Sequence, residues 1–337
     1  MSTPSPSLDY YHFPVMLDEI TKICSPSKGG LYIDCTFGGG GYSKRFLEFS
    51  KTKVIAFDRD QFISKLAKNL EKKYPKRFFF YKKKFSEIES VLRKSSVDVV
   101  VFDLGLSSIQ LKNLKRGFSF KSKDKLDMSM GLTDISAEEV VNNFSEHKLK
   151  LIIKILGEEK DASKIAKNII KARSIKKIRK VDQLVEIIEN SKKPNYKKKI
   201  NPSTKTFQAL RMFVNKETTE LINGIINATK VLKPGGKILI VSFHSIEDKI
   251  VKYFFSNFSS NRANPSRYLP ENNDKSISLF HGYKNRILKP STEEININLP
   301  SRSAKLRYAI RNENEFVHPN KFLSKFKKYL DLESFYA

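Results

Sequence analysis

Several shortages in this sequence of 337 residues exclude whole classes of protein. Tryptophan is absent, and the two cysteines, Cys24 and Cys35, are too few for a disulfide framework or a cysteine zinc site. No apolar run approaches the length of about 20 residues that crosses a bilayer. The Ser/Pro-rich start, residues 1–9, lacks the charged and apolar parts of a signal peptide. We therefore expect a cytoplasmic protein without a bound metal.

Acidic residues are scarce relative to basic ones, with 36 Asp and Glu against 63 Lys and Arg and a formal net charge of +27. A field of this sign concentrates polyanions, among which phosphate backbones are the commonest partners. The basic residues comprise 49 Lys and only 14 Arg, which also fits a general lysine bias, because bidentate phosphate recognition favours Arg. The charge therefore favours a nucleic-acid partner without identifying it.

Short β-branched runs alternate with helical stretches up to residue 103 and again after residue 206, which predicts a parallel α/β sheet. The predicted strands are residues 31–35, 53–58, 77–81, 97–103, 237–243 and 305–311. The predicted helices of this part include residues 43–49, 61–73 and a long helix over 206–232. The polar stretch 259–300 is expected to be a long loop.

The alternation stops between residues 113 and 205, where short amphipathic helical patterns follow one another. These patterns predict helices at residues 137–144, 148–156, 162–173 and 181–190. The sequence therefore predicts a doubly wound, mostly parallel sheet built from residues 1–112 and 206–337. An inserted helical domain, residues 113–205, would interrupt this sheet after its fourth strand.

A run of four glycines, beginning at Gly38, follows the first predicted strand. Glycine lets a backbone pass close under a ligand, although an ordinary tight turn also uses it. The run lacks the dinucleotide fingerprint, because Ser43 takes the place of the third glycine after Gly38 and Gly40. A nucleoside with a short charged tail is therefore favoured over a pyrophosphate ligand.

Acidic residues stand at two further strand ends, where open parallel sheets bind their ligands. Asp58 follows the second strand, and a carboxylate there can hold the ribose of NAD or of S-adenosylmethionine; a helix N-cap is the alternative. Asp103 ends the fourth strand, and Ser107 and Ser108 after it supply hydroxyl groups beside space for a target base. His244 follows the fifth strand, where a structural role is the commoner one for a single His.

Two basic or aromatic segments are candidates for contact with nucleic acid. Residues 116–120 contain Phe118 and Phe120, which could stack on bases, although core packing is the commoner use of such residues. Residues 192–199 interleave lysines with Tyr196, which suits phosphate and base contact as well as it suits a solvated loop.

Taken together, these strings resemble the bacterial ribosomal RNA small subunit methyltransferase H family. The resemblance covers about residues 12–311, and its motifs occur in one order along the chain. The matching strings are residues 12–17, 34–43, 57–60, 97–110, 116–120, 126–128, 157–159, 206–211, 242–248 and 301–307.

The resemblance implies a class I, Rossmann-like methyltransferase that transfers a methyl group from S-adenosylmethionine to the N4 amine of a cytidine. The cytidine would lie in the decoding region of 16S rRNA, in the small ribosomal subunit or its precursor. Asp58 would hold the ribose and Phe85 would lie near the adenine. The residues expected to bind the cofactor are Gly38, Gly40, Gly41, Tyr42, Asp58, Phe85, Asp103 and Gln110.

Three positions depart from the family pattern. Tyr42 stands where the family usually has His, which keeps a polar ring of different reach. Ser129 and Lys205 stand where it has Arg; the first change affects the substrate contacts of its loop, and the second removes a bidentate phosphate contact. None of these departures alters the acidic residues.

The expected reaction is a single in-line displacement, in which the protein aligns the nitrogen, the methyl carbon and the sulfur. A hydrogen-bond acceptor near the cytosine amine would stabilise its developing positive charge. Asp103 is the first candidate for this catalytic role, and Ser107, Ser108 and His244 are the others. The oligomeric state, monomer or homodimer, stays open.

Two other functions remain as alternatives. A non-catalytic RNA-binding or ribosome-assembly protein could retain the cofactor fold. A methyltransferase could act on another nucleic acid, although DNA enzymes of this chemistry usually carry Pro-Pro-aromatic where Leu104-Gly105-Leu106 stands.

Overall fold

A computed structural model describes residues 14–192, 201–260 and 278–335, except for the side chain of Ser108. The chain forms two compact units. The first comprises Met1–Gly105 and Glu220–Phe326, and the second comprises Leu106–Thr219 and Lys327–Ala337. In the described parts of the chain, every helix is too short or too polar to cross a membrane.

A six-stranded sheet with the order β3-β2-β1-β4-β5-β6 forms the centre of the first unit. Its strands are β1 (Gly30–Asp34), β2 (Thr52–Phe57), β3 (Phe78–Tyr81), β4 (Val97–Asp103), β5 (Leu232–Ser242) and β6 (Lys305–Ile310). The first five strands are parallel, and β6 is antiparallel to β5. This arrangement confirms the predicted α/β class with its mostly parallel, doubly wound sheet.

The helices, by contrast, occur in both units. In chain order they are α1 (Leu17–Cys24), α2 (Gly41–Leu47), α3 (Ser64–Lys73), α4 (Ser108–Lys112), α5 (Ala137–Asn143), α6 (Glu146–Leu156), α7 (Ala162–Ile175), α8 (Val181–Asn190), α9 (Thr204–Asn215), α10 (Glu217–Val231), α11 (Ser245–Asn257), α12 (Thr292–Ile297) and α13 (Asn320–Glu333). The four helices predicted within 113–205 correspond to α5, α6, α7 and α8, with small differences at their ends.

The core of the first unit follows from strands that are apolar on both faces, as in parallel sheets covered by helices. In β4, Val99, Val100, Val101 and Phe102 are all buried. On β1, Tyr32 packs its ring against Phe46 of α2, with ring centroids 5.0 Å apart. This packing presses α2 onto the sheet and thereby fixes the loop that precedes it.

The second unit is built from helices whose apolar faces meet in a separate core. Leu149 and Ile153 of α6, Ile165 of α7 and Leu210 of α9 are completely buried. The unit extends beyond the expected insertion of residues 113–205 at both ends and includes the C-terminal part of α13. A buried carboxylate, Glu333, ties this part of α13 to the unit by accepting hydrogen bonds from the backbone N–H groups of Thr218 and Thr219.

The prediction of one helix over residues 206–232 is wrong. Lys216 adopts a left-handed conformation (φ 49°) and separates α9 from α10. Next to it, the buried Asn215 side chain accepts the Met130 N–H and donates to the carbonyl of Met128, both at 2.8 Å. This tertiary contact satisfies polar groups away from the helix, so the chain turns where the local pattern is still helical.

Two further differences concern the C-terminal third of the chain. Strand β5 begins at Leu232, earlier than predicted, because Leu232 pairs with Val97 before a register shift. The predicted loop over 259–300 contains α12, which begins after Ser291, whose hydroxyl accepts the N–H of Glu294 at 3.1 Å. An N-cap of this kind, in which a side-chain oxygen accepts the N–H three residues later, stabilises even a short helix.

Candidate active site

Three neighbouring strand ends of the first unit carry carboxylates. Asp34 ends β1, Asp58 follows β2, and Asp103 ends β4. Because β1 lies between β2 and β4, the three acids meet at one edge of the sheet. This edge is also the point at which the strand order reverses, where open α/β sheets bind ligands.

Asp34 is the site residue that the sequence analysis missed. It is fully buried, and its Oδ2 accepts a 2.7 Å hydrogen bond from the hydroxyl of Ser43 in α2. Burial raises the pKa of Asp34 to about 6, and the nearby Asp58 carboxylate acts in the same direction. An acid at a strand end was the available signal, as it was for Asp58 and Asp103.

The glycine loop connects β1 to α2 and reaches the next strand end. The N–H of Gly38 donates to Asp58 Oδ2 at 2.9 Å. A Cβ on Gly40, which has a φ of +73°, would lie 2.9 Å from the Phe37 ring. A Cβ on Gly41 would lie 2.7 Å from Pro14. These two glycines are therefore required by the protein's own packing, whatever ligand the loop also holds.

Asp58 links the glycine loop to the turn after β2. Its two oxygens accept the N–H groups of Gly38 and Asp60, each at 2.9 Å. Asp60, rather than Asp58, caps the following 3-10 turn by accepting the Phe62 N–H at 3.0 Å. Burial raises the pKa of Asp58. The residue as a whole is only half-buried, and its carboxyl group has further lone pairs that can accept hydrogen bonds from a ligand.

Asp103 differs from the other two acids in having an unsatisfied oxygen. Its Oδ1 is buried and has no hydrogen-bond partner within the described residues. Burial raises the pKa of Asp103 to about 8, with Asp34 adding to the rise and the neighbouring Tyr42 hydroxyl opposing it. Buried polar atoms are nearly always paired, so this oxygen is suited to a donor on a ligand.

Tyr42 lies in α2 beside Asp103 and is almost completely buried. Its hydroxyl donates a hydrogen bond to the backbone carbonyl of Val15. Burial raises the pKa of Tyr42, so the hydroxyl remains protonated. A His at this position would carry its polar atoms on a shorter ring, closer to the backbone of α2 than the Tyr42 hydroxyl that reaches Val15.

Phe85 begins a short 3-10 turn after β3, and its ring lies against β4. The ring meets Phe102 edge-on with centroids 5.3 Å apart. Gly224 of α10 lies directly against the same ring, since a Cβ there would be 2.5 Å from it. The half-buried ring is thus held in place by both neighbours.

His244 is engaged as the N-cap of α11. Its Nδ1 accepts the Glu247 N–H at 3.5 Å, while Glu247 Oε2 accepts the Phe243 N–H at 2.8 Å. Its Nε2 lies 3.1 Å from Glu247 Oε1. These contacts are those of a capping box, a structural role that the sequence analysis left open.

Ser107 and Gln110 belong to the second unit and also form a capping box. The Ser107 hydroxyl accepts the Gln110 N–H at 3.2 Å, and Gln110 Oε1 accepts the Ser107 N–H at 3.0 Å. The side chain of Ser108 lies outside the described residues. The structure thus brings the strand-end acids, the glycine loop and Tyr42 together, and it gives Ser107 and Gln110 a helix-capping contact of their own.

The segments expected to touch nucleic acid also pack within the second unit. Phe118 is buried under the Arg116 guanidinium, which lies 5.1 Å from the ring centroid and donates to the Ser129 carbonyl. Of residues 192–199, only Lys192 is among the described residues, and it forms a 2.6 Å ion pair with Glu159. Residues 193–199 lie outside them.

The strand order, the glycine loop and the strand-end acids define a Rossmann-like methyltransferase. The model of the MraW methylase family matches residues 9–312, and the chain belongs to that family. This membership confirms the predicted resemblance and the prediction of an enzyme. Its methyl donor is S-adenosylmethionine.

Two similar proteins bear the name Ribosomal RNA small subunit methyltransferase H. The protein of Ehrlichia canis (strain Jake) is 42% identical over 307 residues, which cover 89% of this chain and 99% of its own length. That of Rickettsia akari (strain Hartford) is 40% identical over 303 residues, covering 88% and 97%. An rRNA methylase structure from Streptococcus thermophilus aligns over 87% of this chain and 96% of its own at 10% identity, with a TM-score of 0.39.

Proposed function

We propose that this enzyme methylates the N4 amine of a cytidine in the decoding region of 16S rRNA, in the small ribosomal subunit or its precursor. The names of relatives that are 40–42% identical over most of the chain support a small-subunit rRNA substrate. The observation that carries the chemistry is the buried Oδ1 of Asp103, at the carboxyl end of β4, which has no hydrogen-bond partner among the described residues.

The acids and the loop of the first unit fit the methyl donor. Asp58 would accept hydrogen bonds from the ribose hydroxyls with its remaining lone pairs, and the backbone at Gly38, Gly40 and Gly41 would lie along the bound donor. The three neighbouring carboxyl groups also suit a cationic ligand, because a bound cation favours their ionised forms where water is partly excluded. The remaining residues proposed to hold the donor are Tyr42, Phe85, Asp103 and Gln110.

The donor supplies a methyl group made electrophilic by a positively charged sulfur. The task of the protein is then to orient the cytosine amine and to accept its proton. Asp103 Oδ1 would accept a hydrogen bond from the cytosine amine. This hydrogen bond favours a lone pair localised on the nitrogen rather than delocalised into the ring, and it stabilises the positive charge that develops on the nitrogen. The same oxygen, when ionised, would take the proton. Ser107, Ser108 and His244 are the weaker candidates for this step.

The deciding experiment combines the purified protein, S-adenosylmethionine and small ribosomal subunits that lack the modification, followed by nucleoside mass spectrometry. We expect N4-methylcytidine in 16S rRNA. Parallel reactions with naked 16S rRNA, precursor particles and DNA distinguish the substrates. Methylation of DNA but not of any ribosomal sample would contradict the proposed acceptor, as would a different methylated nucleoside.

The helical unit is proposed to recognise the RNA. From residue 162 to residue 181 the chain contains eight Lys or Arg residues and no acid. Lys164, Lys167 and Lys171 of α7 are exposed, and their spacing of three and four residues places them along one face of the helix. A row of cations in this arrangement suits consecutive phosphates.

An exposed aliphatic side chain extends the same surface. Ile175, the last residue of α7, is 82% exposed, and the exposed Lys176 and Lys177 follow it. An aliphatic group among lysines can contact a base or a ribose while the cations contact the backbone. We therefore define the α7 surface as Lys164, Lys167, Lys171, Ile175 and Lys176, and propose that it binds rRNA.

A further inference from the structure

A contact across most of the sequence joins α12 to the start of the described chain. The backbone N–H of Met16 donates to Glu294 Oε1 at 2.9 Å, across a separation of 278 residues. Met16 is the left-handed residue (φ 55°) before α1, and its side chain is completely buried. Both residues belong to the first unit, and the contact ties the segment 14–16 to α12.

Each residue of the segment 14–16 contacts the glycine loop, Tyr42 or Glu294. Pro14 lies against Gly41 of the glycine loop, since a Cβ there would be 2.7 Å from the proline ring. The carbonyl of Val15 accepts the hydroxyl of Tyr42. Met16 is held by Glu294. Glu294 therefore fixes a segment that forms part of the wall of the site.

The direction of the Tyr42 proton determines what Asp103 can do. A tyrosine hydroxyl has one proton to donate, and Tyr42 gives it to Val15. The same hydroxyl lies within hydrogen-bonding reach of the Asp103 carboxyl group, and this contact lowers the pKa of Asp103. With the proton directed to Val15, Asp103 Oδ1 keeps no partner in the described chain. If Val15 moved, rotation of the hydroxyl could supply that oxygen with a donor.

We propose that Glu294 is a positioning residue for methyl transfer. By holding Met16, it keeps the Val15 carbonyl as the acceptor for Tyr42 and so leaves Asp103 Oδ1 free for the cytosine amine. This inference rests on the proposed function, in which Asp103 accepts that amine. It assigns a role to α12, which lies outside every site segment expected from the sequence.

The groups facing Asp103 indicate what loss of this contact does. They come from four elements: Asp34 of β1, Tyr42 of α2, Glu247 of α11 and Glu294 of α12. The three carboxyl groups raise the pKa of Asp103, and the tyrosine hydroxyl lowers it. Removing Glu294 takes away one of these carboxyl groups, and committing the Tyr42 proton to Asp103 strengthens the lowering that the hydroxyl already exerts, so both changes lower the pKa of Asp103 further.

The test is a double-mutant cycle of Glu294→Ala and Tyr42→Phe, measured as the single-turnover methyl-transfer rate at saturating donor. We expect Glu294→Ala to slow transfer about tenfold in the wild-type background, the effect of one hydrogen bond to a charged group. In the Tyr42→Phe background the same change should cost less than about twofold, because no hydroxyl remains to occupy Asp103. Equal costs in both backgrounds would overturn the proposal.

Glu294→Gln provides the matched control, because the amide keeps an oxygen acceptor for Met16 and removes the charge. We expect its rate to stay within about twofold of the wild type, whereas Ala loses the acceptor. A Gln variant as slow as the Ala variant would show that the charge matters and not the contact with Met16. Thermal unfolding of each variant confirms that rates are compared between folded proteins.

A second readout separates this inference from the proposed function. A carbon-13 NMR titration of Asp103, assigned with Asp103→Asn, requires neither RNA nor methyl transfer. Glu294→Ala should lower the pKa of Asp103 more in the wild-type background than in the Tyr42→Phe background. An identical shift in both backgrounds refutes the role of the hydroxyl. A larger shift with tyrosine present supports that role even if the methylated nucleoside proves to be another one.

Discussion

Asp58 and Asp103 are both strand-end acids, yet their hydrogen bonds suit them to different tasks. Asp58 accepts two backbone N–H groups, which favour its ionised form and fix its orientation for binding. At Asp103, the backbone N–H donates to the Thr36 hydroxyl at 2.8 Å, and the carboxyl oxygen Oδ1 has no hydrogen-bond partner in the described chain. A poorly solvated oxygen is a stronger acceptor for a ligand's amine.

Replacing the carboxylate of Asp103 with an amide tests its role directly. We expect Asp103→Asn to lower kcat by at least about 100-fold, because the amide cannot take a proton. Asp98→Asn on the same strand is the control. Asp98 accepts the Leu31 N–H at 2.7 Å and pairs with Lys233, away from the strand end, so its loss should lower the melting temperature and leave kcat unchanged. Equal kcat for Asp103→Asn and the wild type would remove Asp103 from the chemistry.

The raised pKa of Asp103 predicts how the reaction depends on pH. Only the ionised carboxyl accepts a proton, and burial raises its pKa to about 8. For the free enzyme, kcat/KM for the methyl donor should therefore increase about tenfold per pH unit below this value and level off above it. Initial rates between pH 6 and 9.5 measure the profile. A flat profile over this range would contradict the assignment.

The residues of the site differ in how visible they are in the sequence. Asp58 and Asp103 could be found because each stands at the end of a β-branched run. Glu294 could not, because its partner Met16 is 278 residues away and no local pattern connects them. His244 was identified, but its capping contact with Glu247 shows that a His at a strand end also stabilises the next helix.

At the scale of elements, several residues that resemble catalytic groups in the sequence are helix caps. Ser107 with Gln110 and His244 with Glu247 both have the polar spacing of a capping box. The same spacing in Ser136 and Glu139 caps α5. A hydroxyl or imidazole just after a strand therefore indicates a helix start as readily as a catalytic group, and only hydrogen-bond geometry distinguishes the two.

The α7 surface yields a prediction for RNA binding. Changing Lys164, Lys167 and Lys171 together to Gln should weaken binding to unmodified 16S rRNA and reduce the slope of log Kd against log salt by about 2, since each phosphate contact contributes about 0.7 to 0.9. The affinity for S-adenosylmethionine should stay the same. Binding titrations at four salt concentrations measure the slope.

Helix α3 offers a control with the same geometry and charge. Lys65, Lys68 and Lys72 are exposed on it and have the same spacing of three and four residues. Changing these three to Gln removes the same charge from the first unit and should leave the salt slope nearly unchanged. Equal effects of the two triple variants would mean that the net charge of +27, and not the α7 surface, determines RNA binding.

At the scale of the whole molecule, three buried carboxyl groups make stability depend on pH. Burial raises the pKa of Asp34 to about 6, of Glu333 to about 7 and of Asp103 to about 8. In the unfolded chain such groups titrate near 4. Between these values the folded state binds more protons, so this contribution to stability is present at low pH and is lost as the pH rises to about 8.

Glu333→Gln isolates one part of this effect. The amide keeps one oxygen acceptor in place of the two carboxylate oxygens that accept the N–H groups of Thr218 and Thr219, and it does not ionise. We expect the urea midpoint of the variant to fall less than that of the wild type between pH 5.5 and 8.5. Urea unfolding at constant salt measures both midpoints. Identical pH dependence in the two proteins would contradict the ionisation of Glu333 in this range.

The sequence by itself determined the α/β class, the strand-end positions of Asp58 and Asp103, and the family, because periodicity and ordered motifs are local properties of the chain. Tertiary structure decided the break at Lys216, the extent of the helical unit and the contact of Glu294 with Met16. It also decided which polar residues are helix caps and which carboxyl oxygen, within the described part of the chain, has no hydrogen-bond partner. These features depend on contacts between residues far apart in sequence and on their burial, and local propensity does not determine them.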